Sequence, residues 1–233
     1  MRWCFPRLDI LRISFEFAAE GTVTEITATG IGAHASTPDV GNNALTGLLV
    51  FLGKLDFASC PQVDMVRKTA SLFPHGDVNG KTLGVAMEDE LSGNLTLSFN
   101  MLSVDAASMD GEFDGRIPVC GNDENVLEVV RARMAEQGLT LLNKALIPPH
   151  HVSADSYFVK TLLAAFELYT GRKGECQALG GGTYVHHLEN GVAFGAAMPE
   201  TDNKMHGPDE FAVVDELLVS AKIFAQAIVD LCG

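Results

Sequence analysis

Imidazole ligates zinc and moves protons near neutrality, so the seven histidines of this 233-residue chain are the first place to seek chemistry. His34 sits in Gly32-Ala-His-Ala-Ser-Thr-Pro38, a run of small residues that leads into a helical pattern. Small neighbours let a ligand approach the backbone, and a helix N-terminus adds positive potential for an anion. The same residues equally suit a loop histidine that bonds its own surroundings, and composition does not choose between the two. His206 lies in Met205-His-Gly-Pro-Asp-Glu210, again just before a helical pattern. Loops at strand ends of α/β sheets are where metals and substrates bind. One histidine is not a zinc site, because zinc takes three or four ligands. Nearby only Asp202, Asp209 and Glu210 could add donors, and Asp209-Glu210 also suits the first turn of the last helix.

Gly180-Gly181-Gly182-Thr183 follows a predicted strand, so its backbone N–H groups could cradle an anion. A phosphate loop would need a following Gly-Lys-Ser/Thr element, which the sequence lacks, so a carboxylate is the better ligand and a plain turn the alternative. Arg116, in Asp114-Gly-Arg-Ile-Pro118, could meet a carboxylate through two parallel hydrogen bonds, although most single arginines on strands are solvated charges. His75-Gly-Asp-Val78 and Asp89-Glu-Leu-Ser-Gly93 imitate the ligand pair and acid-base loop of a two-metal hydrolase. Both fall in a weakly patterned stretch rich in Gly and polar residues, where turns are the expected outcome.

The elements that must position these residues follow from periodicity. Alternation over 11–17 and 22–29, with a turn at Glu20-Gly21, predicts a hairpin. Apolar residues from Asn43 to Leu55 keep helical spacing, with Asp39 or Asn42 as the expected cap. A short helix is expected near 62–72 and a turn at Asn79-Gly80. A long strand follows over 94–105, with an antiparallel partner at 112–119. Asn122 should cap a helix that Gly138 ends, and 139–142 reads as another strand. The order ββα(insert)ββαβ fits helices on one face of an antiparallel sheet. Pro148-Pro149-His150-His151 marks a domain boundary. Beyond it come a helix over about 154–170 closed by Gly171, short strands near 175–179 and 192–196, and a last helix near 212–231.

Composition sets limits on partners. Apolar residues make up 47%, enough for a sizeable core. Sixteen Lys and Arg face 30 Asp and Glu, for a formal charge of -14, so nucleic acid is not an expected partner. No apolar run reaches a membrane-spanning length. Five scattered cysteines, without a C-x-x-C pair, read as reduced and mostly buried thiols of a cytoplasmic protein.

Taken together, Gly30-Ile-Gly-Ala-His-Ala-Ser-Thr-Pro38, Asp77 to Thr96, Asp114-Gly-Arg-Ile-Pro118, Tyr169-Thr-Gly-Arg172, Gly180-Gly-Gly-Thr-Tyr184, Val192-Ala-Phe-Gly195 and Met205-His-Gly-Pro-Asp-Glu210 resemble the peptidase V branch of the aminoacylase/carboxypeptidase family of di-zinc peptidases, which includes carnosinase-like Xaa-His dipeptidases. The resemblance implies an α/β chain with an α+β lid. Residues 9–147 would be a ferredoxin-like antiparallel-sheet lid with an insertion at about 56–92, and 148–233 the C-terminal part of a zinc-exopeptidase catalytic domain. It implies that His34 stabilises the tetrahedral oxyanion, that Arg116, Gly181, Gly182 and Thr183 hold the carboxylate of a dipeptide substrate, and that His206 is the last zinc ligand. The family's first catalytic half carries a His-x-Asp pair, a bridging aspartate and an Asp-Glu-Glu loop with the general base. That half has no counterpart in this sequence, and the resemblance puts His75-Gly-Asp77 and Asp89-Glu90 inside the lid. Val185-His186-His187 also stands near where the family has a basic residue. The expectation is therefore a C-terminal fragment of a zinc dipeptidase, inactive as this chain alone. Its two zinc ions would be weakly held or absent without the remainder. The alternatives are a non-catalytic binding or oligomerisation module, with a homo-oligomer, and one half of a split enzyme completed by a separate N-terminal half.

Overall fold

The computed structural model describes residues 12–195, 198, 200–205 and 208–233. Chain contacts divide it into two units: one runs to Pro149 and takes in Leu179–Gly181, and the other comprises His150–Ala178 and Gly182–Gly233.

In the first unit, strands β1 (Ser14–Glu20) and β2 (Val23–Thr29) form the hairpin that alternation predicts, paired from Ser14↔Thr29 to Glu20↔Val23. The strand expected over 11–17, whose residue 11 lies outside the described residues, runs three residues further towards the turn, to Glu20. Phe15 and Phe17 both pack on Phe51 of helix α1 (Ala44–Gly53), with ring centroids 4.9 and 5.7 Å apart. The cap of α1 is Asn43, whose side chain accepts from Thr46 N at 3.0 Å. Such a cap contributes about 1 kcal/mol. Neither expected cap serves: Asp39 lies in a 3-10 turn at Pro38–Val40, and the Asn42 backbone is bridged to Ile31.

Helix α2 (Pro61–Leu72) starts on a proline, which fits the first turn because its missing N–H has no intrahelical partner there. A two-residue ladder, β3 (Glu88–Asp89) with β4 (Gly93–Asn94), precedes the long hairpin of β5 (Thr96–Val104) and β6 (Met109–Arg116). The β5–β6 register shifts between Phe99 and Met101, which leaves Asn100 as an extra residue. Asn43 Nδ2 donates to Phe99 O at 2.8 Å, tying the start of α1 to that irregularity. Asn122 caps the next helix as expected, through a reciprocal pair with Asn125. The helix opens with a π turn at Asp123–Leu127 and continues as α3 (Glu128–Glu136).

The core of this unit gathers Leu49, Leu72, Phe73, Leu83, Val85, Leu95, Leu97, Phe99, Val126 and Val130. The strand expected at 139–142 does not form. Leu139 and Leu141 pack on the core as irregular chain, with no partner ladder among the described residues. The described strands pair only as three separate two-stranded ladders, β1–β2, β3–β4 and β5–β6.

In the second unit, α4 (Tyr157–Thr170) is capped by Ser156 and stopped by Gly171 at φ 66, a left-handed conformation that glycine adopts without penalty. It packs on α5 (Val214–Cys232) through Leu162, Ala165, Ile223 and Ala227. The last helix starts at Val214, so its first-turn acids are Asp215 and Glu216 and not the expected Asp209 and Glu210. The strands expected near 175–179 and 192–196 are absent among the described residues.

Among the described cysteines, Cys60 is half-buried and Cys120, Cys176 and Cys232 are exposed, all of them free thiols, against the expectation of mostly buried ones. No helix among the described residues is long and apolar enough to cross a membrane.

Candidate functional site

The His34 loop is closed at its neck. Ile31 and Asn42 exchange two backbone hydrogen bonds at 2.9 and 2.8 Å, which pins residues 32–41 as a compact excursion at the end of β2. Within it, Thr37 N donates to His34 O at 2.9 Å and Gly41 N to Pro38 O at 3.2 Å. His34 is exposed, and its Nδ1 lies 2.7 Å from Ser36 Oγ and 3.2 Å from Ser36 N.

Two contacts bring other predicted residues to this loop. Thr96 Oγ1 donates to Ala35 O at 2.9 Å. Thr96 is the register partner of Arg116 across β5–β6, and directly opposed residues share one face of a sheet. Arg116 therefore projects from the same face of the ladder as the hydroxyl that holds the His34 loop. The second contact is Gly180, where a Cβ would fall 2.4 Å from Ser36 Cβ. The glycine run meets the His34 loop there only because position 180 carries no side chain.

Arg116 is held by its neighbour two residues back. Its Nη2 donates to Asp114 Oδ2 at 2.8 Å, and Nε lies 2.7 Å from Asp114 Oδ1. Asp114 fixes one edge of the guanidinium, and Nη1 has no partner among the described residues. A fork braced in this way keeps a free corner for a further anion.

Gly181 belongs to the first unit, whereas Gly182 and Thr183 belong to the second. A Cβ at Gly181 or Gly182 would meet nothing within 4 Å, so their backbone is approachable. Thr183 opens a 3-10 turn, Tyr184–His187, and its N–H donates to His186 Nδ1 at 3.4 Å. His186 is thus engaged in its own turn. His206 lies outside the described residues.

The two imitation motifs turn out to build local structure. His75 Nδ1 is 2.8 Å from Thr46 Oγ1, next to the α1 cap. Asp77 accepts from Lys81 N and Thr82 N. Partial burial works against its charge, but the hydrogen bonds from Thr82 and Lys81 hold its carboxyl below the usual range. Asp89 accepts from Ser92 N at 2.7 Å, Leu91 N at 2.9 Å and Cys120 N at 3.1 Å. The hydrogen bond from Ser92 N leads in holding its carboxyl down at about 2.

A depressed folded-state pKa stabilises above the ordinary value of 3.8 and loses that contribution as pH falls towards 2. The Asp89 carboxyl carbon should accordingly titrate by NMR with a midpoint of about 2. A midpoint near the ordinary value would mean that the turn to Cys120 is not formed.

Thr96 and Ser36 are the positioning residues that sequence reasoning missed. Thr96 gave no signal beyond strand alternation. Ser36 was visible as a hydroxyl two residues from His34, a spacing that in a loop permits a local hydrogen bond.

No family model matches the chain. It is 34% identical, over 97% of its length, to the Beta-Ala-Xaa dipeptidase of Lactobacillus delbrueckii subsp. lactis, of which it covers 50%. It is 36% identical, over 93% of its length, to the "Putative dipeptidase YtjP" of Bacillus subtilis, covering 46% of that protein. A "Putative dipeptidase" of Staphylococcus epidermidis is 28% identical over 93% of the chain, with 46% of that protein covered. The chain spans about half the length of these curated relatives. Its sequence is therefore related to proteins named as dipeptidases.

Proposed function

We propose that this chain is the substrate-orienting part of a zinc-dependent dipeptidase of the peptidase V, carnosinase-like branch, inactive by itself. One observation carries the reading. The loop of His34, the glycine run at Gly180–Gly181 and the strand end at Arg116 are linked within one unit, in a chain about one-third identical to proteins named as dipeptidases. Residues 9–147 are then a ferredoxin-like lid with an insertion at about 56–92, and 148–233 the C-terminal part of the catalytic domain. The cytoplasm is its compartment, as free thiols suit.

In this reading the dipeptide's terminal carboxylate takes the open corner of Arg116 and the backbone N–H of Gly181. Cleavage converts the planar peptide carbonyl into a tetrahedral oxyanion, and a donor already aimed at that charge lowers the barrier. His34 supplies the donor. The name of the Lactobacillus relative makes β-alanyl dipeptides the substrates of choice.

Zinc is the cofactor that the reading implies, with His206 as one ligand. Among the described residues no three His, Cys, Asp or Glu side chains converge to hold a metal, and zinc takes three or four ligands. The described residues therefore do not make up a zinc centre, and their work is to bind, orient and donate. The remaining ligands and the general base are assigned to the half of the relatives that this chain does not span.

A second reading, one half of a split enzyme or a non-catalytic association module, draws on α5. Its Val214, Leu218, Ile228 and Val229 are 68%, 58%, 63% and 62% exposed, an apolar surface of the kind that partners cover.

One experiment separates these readings. The chain alone should leave a β-alanyl dipeptide at the background rate. Co-expression with the uncovered half of the Lactobacillus relative should give zinc-dependent turnover. Association without turnover would favour the module. Turnover by the chain alone, with two tightly bound zinc ions, would overturn the proposal.

A further inference from the structure

We infer that Ser36 is a positioning residue for His34, seated by Gly180, and that it selects which imidazole nitrogen carries the proton. The role rests on the donor function proposed for His34. Two groups of Ser36 meet one ring nitrogen, its Oγ at 2.7 Å and its backbone N–H at 3.2 Å from Nδ1. A backbone N–H can only donate, so Nδ1 must accept. The hydroxyl, free to rotate, donates to the same lone pair. A neutral imidazole has one donor and one acceptor nitrogen, so the hydrogen resides on Nε2, at the far end of the ring from the main chain. The opposite tautomer would set Nδ1–H against the Ser36 N–H, donor facing donor.

The serine is itself fixed from outside its loop. Any Cβ at position 180 would stand 2.4 Å from Ser36 Cβ, closer than such atoms pack, so glycine there lets the run seat against the serine. Ala35, between the histidine and the serine, is anchored separately by Thr96 Oγ1 at 2.9 Å. The Ile31–Asn42 bridge closes the loop below them. The imidazole's proton placement is thus set by a chain of contacts that runs from Gly180 through Ser36 to Nδ1.

The test uses the full chain with 15N-labelled histidine, because nitrogen shifts report each tautomer directly. At a pH where the ring is neutral, with His34 assigned by its loss in His34→Gln, Nε2 should carry the hydrogen and Nδ1 should be bare. Ser36→Ala should lower the ratio of Nε2–H to Nδ1–H about fivefold, the effect of losing one hydrogen bond. Ser36→Thr keeps the hydroxyl and should restore the ratio. Gly180→Ala, with Ser36 intact, should reproduce the Ser36→Ala fall. Thermal melting should stay put in Ser36→Ala and Ser36→Thr, since a merely structural role would move the melt and leave the tautomer alone. Nδ1–H in the parent protein, or a Ser36→Ala spectrum identical to the parent's, would overturn the assignment. No turnover is read in this test. Failure of the co-expression experiment would remove the donor function and leave the tautomer result standing.

Discussion

Phe99→Ala is expected to lower the stability of the first unit by about 3–5 kcal/mol, the range for emptying a packed aromatic site. Phe99 is 4% exposed and stacks on Phe73 with ring centroids 4.5 Å apart and planes 14° from parallel. Phe73 in turn meets Phe113, the cross-strand partner of Phe99, at 5.3 Å. Removing the Phe99 ring leaves the face of Phe73 that it stacks on against a void. The same residue's carbonyl accepts from Asn43, so relaxation there also pulls on the cap of α1. Urea denaturation followed by circular dichroism gives the loss as a shift in midpoint at constant slope. A cost under about 1 kcal/mol would mean that the ring does not fill the core as described.

The second large effect concerns rate. In the co-expressed enzyme, His34→Ala should reduce kcat by about 10²–10³-fold with little change in KM, the signature of losing a donor used only in the transition state. Arg116→Ala should behave in the opposite way, raising KM and leaving kcat less affected, because a carboxylate is held equally in substrate and transition state. Steady-state kinetics on one β-alanyl dipeptide distinguishes the two. Equal effects on kcat and KM in both variants would argue against separate roles.

Much of the fold was legible where local chemistry decides it. The hairpin at 14–29, the helix at 157–170 and the glycine stop at Gly171 follow from alternation, helical spacing and a left-handed cap. A helix stands at 61–72 where a short one is expected near 62–72. Reading failed where one residue type had several claimants. Asp39 and Asn42 are the expected caps of α1, but the bridge to Ile31 engages Asn42 and the cap falls to Asn43, one residue on. It failed again at 139–142, where alternating leucines have the side-chain pattern of a strand but no described ladder to join. A strand is defined by its partner's hydrogen bonds as much as by its own sequence. The candidate site divides along the same line. His34, Arg116 and the glycine run could be named from residue type and resemblance. Their links through Thr96 and through Gly180 against Ser36 join residues 61 and 144 positions apart, a separation at which spacing carries no information.

The ladders hold a last consequence, for the order of events as the chain folds. Each described ladder joins strands that are consecutive in sequence, and none needs a crossover. Pairing of this kind requires only short loops to close, and folding rates rise as contacts become more local. The β5–β6 hairpin, the longest of the three, can zip as soon as its turn has left the ribosome. Formation of the strands is therefore expected to be fast. The slower steps fall to the contacts that cross great stretches of chain, and Gly180 reaching Ser36 is among them. The register of the histidine loop would then be among the last features to set.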